Sequence, residues 1–418
     1  METIALAARQ MINSGDTAFV LICAALVLLM TPGLAFFYGG LVRRKNVLGV
    51  LMQCFVMMCV IGIQWVLFGY SLAFSPGNGF IGGLQWAGLR GVGLLPNPDY
   101  AATIPHQAFM IFQAMFAIIT PALIIGAFAE RMKFSGFLIF SLLWATIVYD
   151  PICHWVWGTG GWLKNMGVLD FAGGAVVHIN AGFAALVTAL FIGKRKSLDG
   201  GFTPHNLPFT VLGAGLLWFG WFGFNSGSAL AANGLAVNAF VTTNTAAAAA
   251  GLTWMIIEWL VTGKPTLLGV STGAVTGLAT ITPAAGFVGP MSSILIGMCA
   301  GAICFVMISI IKPKLGYDDA LDAFGAHGIG GLLGVLATGL FASKLINPSG
   351  ANGLFFGNPK QFMIQLIASL ATIGYTCLMT FVIYKVVDVF VGIRVKEKEE
   401  MVGIDLAEHH EQAYTILE

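Results

Sequence analysis

Eleven runs of about twenty mostly apolar residues, separated by short polar stretches, dominate this 418-residue chain. A run of that length matches the hydrocarbon thickness of a bilayer. No water reaches its peptide groups there, so each run must satisfy its own N–H and C=O groups as a helix. The runs begin near Thr17, Val47, His106, Ser135, Phe171, Leu207, Asn238, Leu267, Pro290, Asp322 and Phe362. Hydrophobic residues make up 57% of the chain and charged ones only 9%, far below the roughly 25% charge of soluble domains. The pattern predicts an all-α polytopic membrane protein with eleven transmembrane helices.

Basic residues set the expected orientation. Fifteen of the 20 Lys and Arg fall in one set of connections, around Arg43–Lys45, Arg131, Lys194–Lys196, Lys264, Lys312 and Arg394. Arg9, Arg90, Lys164, Lys344 and Lys360 fall in the other. The positive-inside rule then puts the N-terminus out and the C-terminus in. The first run lacks the short apolar core behind a basic segment that marks a cleaved signal, and is expected to be retained. Five spans followed by five more of opposite orientation form an inverted 5+5 pseudo-repeat, with the last span as an added C-terminal helix.

Two histidines reinforce that symmetry. Asp170 precedes His178 by eight residues in DFAGGAVVHIN, and Asp319 precedes His327 by eight in DALDAFGAHG. Eight residues of helix span roughly 12 Å. From opposite faces of a core about 30 Å thick, the imidazoles would differ by roughly 6 Å in depth. An ionisable group at that depth is costly and points to a transport path.

Other functions find little support. A net charge of +1 provides no basic surface for nucleic acid. The seven cysteines are scattered without metal-ligand spacing and read as small core hydrophobes, and the 54 glycines read as helix-packing residues rather than a dinucleotide fingerprint. No catalytic residue, metal or cofactor is indicated, so the chain is not expected to be an enzyme.

The stretches PGLAFFYGGLVRRKN, FQAMFAIITPALIIGAFAERMKF, HWVWGTGGW, DFAGGAVVHIN, GWFGFNSGSA, DAFGAHGIGG and GIDLAEHHEQAY occur in that order. In them the chain resembles the ammonium transporter family (Amt/Mep/Rh), on its Amt branch, over essentially its whole length. The resemblance implies a homotrimer in the cell (inner) membrane, each subunit with its own narrow pore for ammonium or methylammonium. It implies an outer recruitment site at Trp157, Phe116, Ser228 and Asp170, a gate of stacked Phe116 and Phe224, and a lumen lined by His178, His327 and Trp221. Ammonium would be deprotonated and cross as ammonia, with net charge transfer.

Each residue also has an ordinary structural reading. Asp170 precedes a helix and can cap it, and Asp318, Asp319 and Asp322 can share that duty for the tenth span. Trp155 and Trp157 can belong to an interfacial belt, and Phe116, Phe224 and Trp221 can be packing. Ser228 can be helix-packing glue. His106, His154, His205, His409 and His410 fall near helix ends or in the tail, where solvation is expected. Asp150 departs from the more often apolar residue of the family, and helix-end solvation is expected for it as well.

The residues divide into a membrane domain, 1–392, and a tail, 393–418, which carries 7 of the 19 acidic residues, Glu418 among them. The tail resembles the cytoplasmic tail of Amt proteins, which implies packing under the trimer and a PII-type signalling partner. His410 stands where the family commonly has Gly. Two other readings stand beside transport: an ammonium sensor with little flux, and a redox protein with His178 and His327 as axial haem ligands.

Overall fold

The structure is a computed structural model and describes residues 11–196 and 203–414. Arg9 and Glu418 lie outside the described residues. Ten helical stretches are long and apolar enough to cross a membrane: α1 (Ser14–Leu41), α2 (Arg44–Phe74), α3 (His106–Phe128), α4 (Phe134–Met166), α5 (Gly174–Ile192), α6 (Leu207–Gly227), α7 (Gly234–Thr262), α9 (Pro290–Leu315), α10 (Phe324–Phe341) and α11 (Pro359–Phe390). Between α7 and α9 lies α8 (Leu267–Ile281), apolar but only 15 residues long. Two short helices, α12 (Glu397–Val402) and α13 (Ile404–His409), form the tail. The described residues form no strand beyond three isolated bridges.

Local chemistry sets where the helices begin. The side chains of Asn13, Asn206, Asn233 and Thr266 accept N–H bonds from the first turns of α1, α6, α7 and α8. Proline stands in the first turn of α6, α9 and α11, where its missing N–H has no helical acceptor to lose. Helix α3 is the hub, packed on α1, α2 and α5. Nearly all of it is buried, whereas the outward faces of α7, α9 and α11 are open and rich in Leu, Ile, Val and Phe.

The eighth expected run differs from the others. After Ile281 the chain leaves the helix, and residues 282–288 form wholly buried turns. Non-helical backbone at such depth needs partners from within the protein. Asn238 Nδ2 on α7 donates to the carbonyls of Ala285 and Val288, both at 3.1 Å, and Thr242 Oγ1 donates to Ala285 O at 2.9 Å.

Helices α5 and α10 both open on a wide π-helical turn, Gly174–Ile179 and Phe324–Ile329. In the first, His178 N–H donates to Gly173 O five residues back at 3.0 Å. The two helices then meet backbone to backbone. A Cβ on Gly182 would stand 2.0 Å from Gly328 N, and one on Gly331 would stand 2.7 Å from His178 Cβ. Only residues without side chains permit this approach.

Gly182→Ala is therefore expected to destabilise the protein by about 1–3 kcal/mol or more, the usual cost of overpacking, seen as a lower melting temperature in detergent. Gly215→Ala is the control, since no atom lies within 4 Å of its added methyl. Indistinguishable melting of the two variants would contradict the close crossing.

Candidate functional site

The crossing of α5 and α10 puts their histidines together. The rings of His178 and His327 lie 5.2 Å apart, tilted by 16°. His178 also stacks on Trp221 at 5.5 Å and Phe224 at 6.1 Å. Neither nitrogen of His178 has a hydrogen-bond partner among the described residues, nor has His327 Nδ1. Centroids 5.2 Å apart are too close for two axial imidazoles on opposite faces of one haem.

Phe116 on α3 and Phe224 on α6 form the next layer, with centroids 4.3 Å apart. Phe116 meets Trp157 edge-on at 6.0 Å. Beyond that pair a cavity of about 320 Å³ is lined by Trp157, Asp170, Ser228, Gln113 and Lys164, among others. On the other side a cavity of about 190 Å³ runs from Phe224, Trp221 and both histidines to Tyr38, Arg195 and Asp322. The expected site residues thus form one file between two cavities.

Each ring is held from behind. Trp221 Nε1 donates to Thr282 Oγ1 at 2.9 Å, within the turns that follow α8. Trp157 Nε1 donates to Asp170 O at 2.9 Å. The Asp170 carboxylate accepts N–H bonds from Gly173, Gly174, Ala175 and Val176 at 2.6–3.3 Å, so it caps the wide turn that carries His178. Asp319 does the same for α10 by accepting from Ala323 and Phe324 at 3.1 and 2.8 Å. Ser228 Oγ donates to Phe224 O at 2.9 Å, which leaves its lone pairs open to the cavity.

Several sequence expectations need correction. Asp318 and Asp322 do not share the capping of α10 by side-chain bonds: Asp318 pairs with Arg195 at 2.7 Å, and Asp322 with Lys312 at 2.5 Å. Asp150 is wholly buried rather than solvated, and accepts from Gln64 Nε2 at 2.8 Å. His106 and His154 are buried too. His106 Nε2 lies 2.5 Å from the Tyr70 hydroxyl, and His154 bridges Ala73 O and Asn78 O. Trp155 is interior, donating to Phe80 O. His410 keeps the left-handed turn at the end of α13, with φ at 56°, so the departure from Gly leaves the turn in place.

Sequence reasoning missed Thr282 and Gln113, and also a charged knot at the Arg195 end of the inner cavity. Glu130, fully buried, accepts from Arg43 at 3.0 Å, Arg195 at 3.1 Å and Asn46 at 2.8 Å. Burial alone would raise its pKa, but Arg195 and Arg43 hold it below the ordinary range. Burial likewise opposes ionisation of Asp318, but Arg195 and Arg131 hold its pKa down to about 2. Burial pushes Asp319 up to about 6 despite Lys312. The tail ties into this knot: Ile404 N–H donates to Asn46 Oδ1 at 2.8 Å, Gly49 N–H to Asp405 Oδ1 at 2.7 Å, and Phe134 N–H to Glu408 Oε2 at 2.9 Å.

A bundle of apolar helices around a narrow file of aromatic and imidazole rings, open at both ends into cavities, defines a multi-pass membrane protein built for passage of a small solute. The profile of the Ammonium Transporter Family matches residues 18–414. The chain belongs to that family, and is accordingly a transporter rather than an enzyme. It is 57% identical to an ammonium transporter of Bacillus subtilis (strain 168), over 96% of this chain and 98% of that protein. It is 49% identical to Amt1 of Archaeoglobus fulgidus, over 96% and 100%. The crystal structure of Saccharomyces cerevisiae Mep2 superposes with a TM-score of 0.88 at 37% identity, covering 94% of this chain and 90% of that one. A sensor Amt protein superposes at 0.86 with 27% identity, covering 98% and 100%.

Because the Asp318 pKa lies below its ordinary 3.8, its contribution to stability is present above that value and is lost as pH falls toward about 2. The loss is expected to be on the order of 2 kcal/mol. Asp318→Asn should flatten the acid limb of a melting-temperature profile between pH 4 and 2. An unchanged limb would remove Asp318 from the account of acid stability.

Proposed function

We propose that this protein recruits ammonium at the outer cavity, deprotonates it, and conducts ammonia along the histidine pair, with net transfer of charge. The observation that carries the reading is the unbroken file Trp157–Phe116–Phe224–His178–His327, with a cavity at each end.

The chemistry runs in two stages. In the outer cavity the faces of Trp157 and Phe116 attract a small cation by about 0.5–2 kcal/mol each. Ser228 Oγ accepts one N–H, a contact that ammonium offers and potassium does not. Past the phenylalanine pair the file is built of aromatic and imidazole rings, so a bare cation there would lose hydration that rings replace only in part. The cargo therefore gives up its proton at the pair. Each imidazole offers one donor and one acceptor, and the two stacked rings can pass a neutral molecule or hold a proton in turn.

The wider assembly follows the same reading. Helix α8 with its buried turns serves as the eighth of eleven crossings, N-terminus out and C-terminus in, in the plasma (inner) membrane. Wide turns that open both α5 and α10 support an inverted repeat of five helices. The subunits form a homotrimer. The tail, tied to Asn46, Gly49 and Phe134, is a regulatory element open to a PII-type protein. Likeness to a sensor Amt protein favours a second reading, an ammonium sensor with little flux.

Currents and uptake in proteoliposomes under an ammonium gradient separate these readings. Transport predicts sustained currents with ammonium and methylammonium and none with potassium. Comparable potassium currents would indicate a simple cation channel, and saturable binding without flux would favour the sensor. Replacing His178 or His327 by an apolar residue should abolish the current or change its charge character while the protein still folds. Asp170→Ala should reduce transport more than Asp170→Asn, because Asn keeps one oxygen for the four N–H groups of the cap; equal, full activity of both would leave Asp170 no part in transport.

A further inference from the structure

We infer that Gln113 supplies a second hydrogen-bond acceptor for the cation in the outer cavity and so sets affinity and discrimination by the number of N–H groups. The inference rests on the recruitment reading above and names a residue that this reading does not use. Gln113 lines the outer cavity together with Trp157, Asp170 and Ser228. It stands three residues before Phe116 on α3, hence on the same helix face and one turn nearer the cavity. It is 9% exposed, and its carboxamide makes no hydrogen bond to any described residue; Oε1 is fully enclosed without a partner.

Native proteins rarely leave a buried amide without partners, and such a group calls for an explanation. Packing does not provide one, since an apolar side chain of similar length would fill the space without the desolvation cost. A ligand does. The last torsion of Gln is soft and roughly two-fold, so the amide can turn its oxygen toward the cavity when a donor arrives. Ammonium brings four N–H groups and no acceptor. Ser228 Oγ takes one and the aromatic faces serve others, which leaves a donor for Gln113 Oε1. Lys164 shows the cavity suits such a group: its ammonium donates to Trp157 O at 2.9 Å and lies 5.3 Å from the Tyr100 ring.

Two acceptors count donors more strictly than one. Methylammonium has one N–H fewer and must turn its methyl away from both oxygens, so a site with two acceptors favours ammonium. In proteoliposomes, Gln113→Leu should raise the half-saturating ammonium concentration about tenfold, the equivalent of one hydrogen bond to a charged group. The loss should fall on half-saturation rather than on the maximal current, and the preference for ammonium over methylammonium should shrink. Gln113→Glu keeps an acceptor, and should hold half-saturation at or below that of the unaltered protein. If Gln113→Leu does not fold, Gln113→Met carries the same test, and the Gln113→Glu result stands by itself. Unchanged half-saturation in Gln113→Leu or Gln113→Met, a loss of maximal current alone, or raised half-saturation in Gln113→Glu would overturn the inference. Absence of ammonium current in the unaltered protein would instead sink the transport reading. In that case stabilisation against heat by ammonium chloride, compared between the unaltered protein and Gln113→Leu, still decides whether Gln113 binds the cation.

Discussion

Every peptide N–H and C=O in the apolar interior must find its partner within the protein, and the architecture follows from how that demand is met. Regular helices meet it alone and make up most of the chain. Where the helix is interrupted, at the wide turns of α5 and α10 and in the turns after α8, side chains complete it. Asp170 takes four N–H groups and Asp319 two. Asn238 and Thr242 serve the carbonyls after α8. These three interruptions border the central file: His178 and His327 sit on the wide turns, and Thr282 anchors Trp221. Wide turns also occur within α2, α4 and α9, but those beside the file are the ones that aim its rings.

Charge is distributed by the same economy of partners. The file itself holds aromatic rings and two imidazoles, and its ends hold the ions. At the Arg195 end, three arginines, Arg43, Arg131 and Arg195, pair with two carboxylates, Glu130 and Asp318, in a knot at the rim of the cavity. Removing one member of such a network leaves its partner charged and buried, which costs more than the pair contributes. The tail reaches that knot through Asn46, which accepts from Ile404 N–H and donates to Glu130. Tail and cavity rim therefore share one set of hydrogen bonds.

Helix positions were legible because hydrophobic length is a one-dimensional property. The runs beginning near His106, Leu207, Leu267 and Pro290 start where α3, α6, α8 and α9 start. The equal Asp-to-His spacing pointed to two helices approaching from opposite faces, and Gly182 against Gly328 shows how close they come. The early end of α8 was missed although Pro283 and Gly286 follow Ile281 as helix-stop signals, because hydrophobic length alone carried the reading through them; what sequence could not give are the partners of the break, Asn238 and Thr242 on α7. Nor were the fates of Asp318, Asp150 and His154. Polar residues near a helix end look alike in sequence, and only the fold decides which of them is enclosed. Gln113 left one faint trace, a polar residue one turn from Phe116 in a mostly apolar helix.

On the proposed reading the two cavities ask different things of one cargo. A cation would be held where faces and oxygens can replace its water, as Trp157 and Ser228, both lining the outer cavity, would do. Further in, neighbouring ring centroids lie 4.3–6.1 Å apart. Only a species that can shed its charge crosses such a stretch at low cost. On that reading the paired imidazoles suit the passage because each ring, when neutral, can both donate and accept. Size alone would not separate ammonium from potassium. A requirement to donate hydrogen bonds at the mouth and then to lose a proton inside, as proposed, would, and both demands would be set by side chains whose positions the interrupted helices determine.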